Sequence, residues 1–188
     1  MSNLTDVDWS TIPAPEDDGG TDHLLGSLLP AIPVPATSGE SIDLSSLKGR
    51  VVIYAYPMTG TPGVALPDGW DMMPGARGCT PQSCAFRDHS AELAGLGVDS
   101  VFGLSTQSTE DQKEAAERLE LPFSLLSDQS LGLANALNLP TFDVNGKTLL
   151  KRFTVIANDG VIQKVFYPVF PPDANASLVV EWLLREQA

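Results

Sequence analysis

Residues 78–88 read Gly-Cys-Thr-Pro-Gln-Ser-Cys-Ala-Phe-Arg-Asp, and they hold both cysteines of a 188-residue chain. Thr80 is a good helix N-cap and Pro81 suits a first helical position, so a helix is predicted to begin here and run over 81–96. Cys84, Leu93 and Leu96 make its apolar side, and Arg87, Asp88 and Glu92 its polar side. Cys79 then stands at the N-terminal mouth of the helix and Cys84 about a turn and a half further on. Free amides and the helix dipole favour an anion at that mouth, so Cys79 is expected to ionise more readily than an ordinary thiol. At pH 7 a thiol of pKa about 8.5 is ~3% thiolate, whereas one lowered to about 6 is ~90% thiolate. The gain in reactive form is close to thirtyfold, and Arg77 and Arg87 add positive charge nearby in the chain.

Two other readings of these residues stand beside that one. Free cysteines are often buried and inert; the cap, the dipole and the two arginines argue for reactivity instead. Cys79, Cys84 and His89 also recur at intervals of five. Structural zinc uses shorter cysteine spacings and four ligands, so no metal is expected.

Working outward, Val51–Tyr56 is a β-branched and aromatic run of buried-strand length. A loop from Pro57 to Gly78 follows, with nine Gly or Pro in 22 residues. Beyond the helix, strand patterns at 98–104 and 123–126 alternate with helical patterns at 109–119 and 131–137. Strands at 152–157 and 161–166 flank Asn158-Asp159-Gly160, a hairpin signal. An amphipathic helix over 175–187 closes the chain. This order predicts an α/β protein with a central mixed sheet flanked by helices.

Eleven Lys and Arg stand against 24 Asp and Glu, a net charge of −13 that argues against nucleic acid or an anionic membrane as partner. Two cysteines exclude a disulfide-built scaffold and a multi-cysteine zinc module. No signal peptide and no membrane-length apolar run is found, so a cytoplasmic protein is expected. Asp6, Asp8, Glu16, Asp17, Asp18 and Asp22 place six acids and no base before His23. Residues 1–23 are accordingly predicted to be an acidic, poorly ordered arm, and 24–188 the folded domain.

Tyr56-Pro57 together with Cys79-Thr80-Pro81-Gln82-Ser83-Cys84-Ala85-Phe86-Arg87-Asp88 resembles the peroxidatic segment of peroxiredoxins, closest to the Q-type branch, the bacterioferritin-comigratory proteins. Ser124-Leu125-Leu126-Ser127-Asp128 resembles the family's Leu-Leu-Ser-Asp segment, and Arg152-Phe153-Thr154 its Arg-x-Thr. The resemblance implies a thioredoxin-like fold and reduction of hydrogen peroxide or organic hydroperoxides without metal, haem, flavin or other cofactor. It makes Cys79 the peroxidatic cysteine, Cys84 the resolving cysteine that closes an intrachain disulfide, and Arg152 the arginine beside the thiolate. It also implies a dithiol reductant such as thioredoxin or glutaredoxin, and leaves the oligomeric state open.

One departure stands out. The family's Pro-x-x-x-Thr-x-x-Cys fails directly upstream of Cys79, where Ala76 and Met72 occupy the threonine and proline positions. Pro57-Met58-Thr59-Gly60-Thr61-Pro62-Gly63 supplies Pro-x-x-x-Thr-x-x, with the cysteine delayed by residues 64–78. That segment reads as an insertion, Thr61 as the active-site threonine, and Thr59 or Thr80 as its substitutes. Arg77, within the insertion, is a further candidate cation.

Two rival functions remain at this level. A thioredoxin-type exchanger is disfavoured because Cys-x-x-Cys is absent. A non-catalytic redox sensor, binding a partner through the acidic arm or the Gly/Pro loop, is the other.

Overall fold

The computed structural model describes residues 7–188. A short ribbon of β1 (Pro33–Pro35) and β2 (Ser41–Asp43) precedes β3 (Arg50–Ala55), the β-branched run that becomes the middle strand of a five-stranded sheet. β4 (Val98–Ser105) lies parallel to β3, and β5 (Leu125–Ser127) parallel to β4. On the other side of β3, β8 (Phe153–Asn158) and β9 (Val161–Phe166) run antiparallel, joined at the predicted hairpin turn. The sheet is therefore mixed, in the order β5-β4-β3-β8-β9.

Strand geometry sends alternate side chains of β3 to opposite faces. Val51, Ile53 and Ala55 pack with Phe102, Leu104, Leu126, Phe153 and Val155 in one core. Val52, Tyr54 and Tyr56 face the other core, where Phe86 and Leu93 of the helices α1 (Cys79–Asp88) and α2 (Ser90–Gly95) meet Val179 and Leu183 of α5 (Asn175–Gln187). α3 (Thr109–Arg118) and α4 (Gly132–Ala136) complete the helical layers. Asp128 accepts the amides of Leu133 and Ala134 at 2.9 and 2.8 Å, which fixes the start of α4.

Several expectations are corrected. The single helix over 81–96 is two helices, broken at His89. The first begins at Cys79 rather than Pro81, because Gly78, at φ 111°, takes the left-handed N-cap position and leaves Thr80 inside the helix. A second hairpin, β6 (Thr141–Val144) with β7 (Lys147–Leu150), adds to the expected elements. Its signal is Asn145-Gly146, both at positive φ as a tight hairpin turn requires.

The acidic arm also differs. Residues 1–6, Asp6 among them, lie outside the described residues, but 7–23 form a strap packed on the domain. Trp9 donates its indole N–H to Asp173 at 2.9 Å and meets Phe170 edge to face at 6.0 Å. Asp18 accepts from Lys151 and from the Tyr167 hydroxyl, which hold its carboxyl below the usual carboxylate range. Charge counting alone passes over the tryptophan and the Lys151 and Tyr167 partners supplied by the domain. Among the described residues no helix is long and apolar enough to cross a membrane.

Candidate active site

α1 is anchored from within. Tyr54 stacks on Phe86 with ring centroids 4.5 Å apart and bonds the Ser83 hydroxyl at 3.0 Å, so the sheet fixes the helix that carries both cysteines. Cys79 occupies the first helical position and is 4% exposed. Its Sγ lies 3.2 Å from Nη2 of Arg152 and 3.7 Å from the carbonyl oxygen of Ala76.

Arg152 sits immediately before β8 and is 3% exposed. Nη2 also donates to the carbonyls of Gly75, Ala76 and Arg77 at 3.3, 3.1 and 3.2 Å, drawing the end of the 57–78 loop around the guanidinium. Nη1 donates to Oε1 of Gln82 at 2.5 Å. Gln82 in turn donates to Oδ1 of Asn175 at 3.0 Å, and the Thr154 hydroxyl donates to the same oxygen at 2.6 Å. A buried polar chain thus runs Thr154–Asn175–Gln82–Arg152–Cys79. Among the described residues no carboxylate pairs with Arg152. Burying an unpaired charge is expensive, and carbonyl oxygens offset it only in part.

The other site residues fall out differently. Cys84 lies five residues along the same helix, buried, and burial pushes its thiol up, with Arg87 partly offsetting it. Both thiols are free. Thr61 lines an adjoining cavity with Thr59 and Val64 and is not among the residues that wall the one over Cys79. Thr59 is buried against Gln107, its hydroxyl 3.2 Å from Oε1. Thr80 is the threonine that lines the cavity over Cys79, a space of about 90 Å³ walled also by Val7, Met58, Leu66 and Trp70. Arg77 reaches that cavity too but is paired with Asp71 at 3.0 Å. Arg87 pairs with Asp88, and His89 with Glu92. Among the described residues no cluster of three or more metal-ligating side chains occurs.

Sequence reasoning missed Gln82 and Asn175. Gln82 carried a signal, since a long polar side chain three residues after Cys79 shares the cysteine's face of the helix. Asn175 had none, because only the fold brings the start of α5 to α1.

A mixed sheet with its cysteine-bearing helix packed on one face, and a buried cysteine held against an arginine, defines a thioredoxin-like thiol oxidoreductase. Residues 24–180 match the Redoxin family. A chloroplastic peroxiredoxin Q from Sedum lineare is 33% identical over 80% of this chain and 72% of its own length. Peroxiredoxin Bcp of Escherichia coli is 32% identical over 84% of this chain and 94% of its own. The solved structure of peroxidoxin BcpB from Mycobacterium tuberculosis superposes with a TM-score of 0.69 at 26% identity, covering 87% of this chain and 98% of that one. The chain belongs to the peroxiredoxins, in their Q/Bcp branch, and is a thiol peroxidase.

Proposed function

We propose that Cys79 is the peroxidatic cysteine and Cys84 the one that resolves it, in a protein that reduces hydrogen peroxide or organic hydroperoxides at the expense of a dithiol. A sulfur lone pair of the Cys79 thiolate attacks one peroxide oxygen, the O–O bond breaks, and the other oxygen leaves with a proton as water or alcohol. Sulfur, oxidised by two electrons, becomes a sulfenic acid. Arg152 and the free amide end of α1 stabilise charge on the departing oxygen, as donors arranged in advance do without reorganisation. We assign the hydroxyl contribution to Thr80 in place of Thr61, since Thr80 lines the Cys79 cavity. The Cys84 thiol then displaces hydroxide from the sulfenic sulfur, releasing water and forming the intrachain disulfide. A thioredoxin- or glutaredoxin-like dithiol in a reducing cytoplasm restores both thiols by exchange.

The observation that carries this reading is the 3.2 Å approach of the Arg152 guanidinium to the Cys79 sulfur, with no acid to neutralise it among the described residues. Raised by burial, Cys84 is held as a thiol and does not compete for peroxide while the helix is intact. Closure has a geometric demand. On an intact helix, residues five apart have Cα atoms ~8.6 Å apart, and a disulfide accepts no more than about 7 Å. Since α1 is continuous from Cys79 through Cys84, its first turns must unwind before the bond closes.

Cys84→Ser tests the division of labour. With a dithiol reductant in excess, wild type is expected to consume peroxide through many turnovers; with no thiol added, one equivalent of peroxide is expected to leave a disulfide in wild type and a sulfenic acid on Cys79 in the variant. A sulfenic acid that persists in wild type with no thiol added would contradict the assignment of Cys84, and peroxide consumption by wild type no faster than by free cysteine would overturn the whole reading.

A further inference from the structure

The strap formed by residues 7–23 precedes the segment matched to the family, yet it reaches the catalytic helix. Val7 walls the cavity over Cys79, and Pro15 packs on Gly75, whose carbonyl Arg152 holds. The closest approach is at Gly78. A Cβ placed there would lie 2.7 Å from Cη2 of Trp9 and 2.5 Å from Cγ of Pro172, so the indole edge and the proline both close on the N-cap glycine where a side chain would stand. The clamp is anchored by the Trp9 N–H on Asp173 at 2.9 Å and by the edge-to-face contact with Phe170. Asp173 and Pro172 belong to the short 3-10 turn that leads into α5. One face of α1's first turn is thus bolted, through Trp9, to the segment that packs against it.

We infer that Trp9 is a positioning residue for the resolving step: its indole holds Gly78 and the first turn of α1 in the helical form that reacts with peroxide, and must release before Cys84 reaches Cys79. The inference rests on the roles proposed above for the two cysteines. Trp9 touches neither sulfur among the contacts that hold it, so it acts on unwinding and not on O–O cleavage. It thereby sets a competition. A sulfenic acid kept in the helical form meets a second peroxide, whose O–O bond breaks as sulfur gains an oxygen and becomes a sulfinic acid, with water or alcohol released. One that unwinds promptly forms the disulfide.

The test compares wild type, Trp9→Ala, Trp9→Phe and Asp173→Asn by rapid quench with hydrogen peroxide and mass analysis. Sulfenic-acid formation at Cys79, measured in the Cys84→Ser background, is expected to stay within about twofold of wild type in every variant. Disulfide closure is expected to accelerate about tenfold in Trp9→Ala, as loss of an aromatic contact and a hydrogen bond allows. The peroxide needed for half conversion to sulfinic acid should rise by the same factor. Trp9→Phe keeps a ring beside Phe170 but loses the N–H and the reach of Cη2, whereas Asp173→Asn weakens the anchor while leaving the indole whole. Both should move part of the way towards Trp9→Ala. Equal closure rates in wild type and Trp9→Ala, or a loss of peroxide reactivity matching any change in closure, would overturn the role of Trp9 alone. Absence of a Cys79–Cys84 disulfide in wild type would overturn both this inference and the cysteine assignment beneath it.

Discussion

Cys79→Ser is expected to abolish peroxide consumption, a loss of at least about 10³-fold, as for removal of other enzymatic nucleophiles. The fold gives no competing reason for the loss. The side chain is 4% exposed and its polar neighbours are Arg152 and the Ala76 carbonyl, both of which a hydroxyl can engage. A serine there fits the same space but, staying protonated near neutral pH, offers no anion to attack the peroxide. Cys84 cannot take over, because burial raises its pKa and the helix carries it a turn and a half away from the arginine. The measurement is peroxide consumption coupled to a dithiol, with thermal unfolding of the variant within a few degrees of wild type. Retained turnover in Cys79→Ser would move the chemistry to another residue.

Arg152→Met is expected to lower the second-order rate of Cys79 oxidation by about 10²–10³-fold, the scale on which a single oriented donor in a catalytic site counts. The guanidinium meets the sulfur, three loop carbonyls and Gln82 at once. Methionine keeps much of the volume and removes the charge together with all of these bonds. Stability responds in both directions, because the cost of an unpaired buried cation disappears while the 75–77 carbonyls lose their donor. Arg152→Lys separates charge from geometry. An ammonium keeps the positive charge but not the planar fork, so it cannot serve Gln82, the loop and the sulfur together, and its rate should fall between wild type and methionine. Stopped-flow oxidation of the Cys84→Ser background reads this step in isolation. Full activity in Arg152→Met would leave the helix end as the sole source of stabilisation.

Much of the sheet is legible in the chain because its strands bury both faces or alternate cleanly. Val51–Tyr56 and the two strands about Asn158-Asp159-Gly160 fall where composition places them. The start of α1 differs by two residues since Thr80 and Pro81 look like a cap, whereas the glycine before Cys79 takes the left-handed cap. That choice depends on Trp9 and Pro172 leaving no room for a side chain at 78, a contact between residues distant in sequence. Thr61 fits the pattern, while the cavity over Cys79 is walled by Thr80 and the adjoining one by Thr61, a division that depends on the path of the loop between them. Cys79, Cys84 and Arg152 stand out because reactive chemistry uses few residue types. Gln82, which holds the arginine in place, is marked only by sharing the helix face of Cys79, and Asn175 looks like an ordinary surface amide until the helices are packed. The strap is hidden by its own charge: five acids announce solvent, while one tryptophan and one Lys151–Asp18 pair decide where it lies.

Trypsin offers a direct test of the central claim, because cleavage after Arg77 and Arg87 releases both cysteines in one peptide, Gly78–Arg87. After wild type receives one equivalent of hydrogen peroxide and is then treated with alkylating reagent, that peptide is expected to be lighter than its reduced form by two hydrogens and to carry no alkyl group. Reduction with a dithiol should restore two alkylatable thiols. Recovery of the peptide with both cysteines alkylated while peroxide is consumed, or linked to the same peptide of a second chain, would contradict the intrachain cycle.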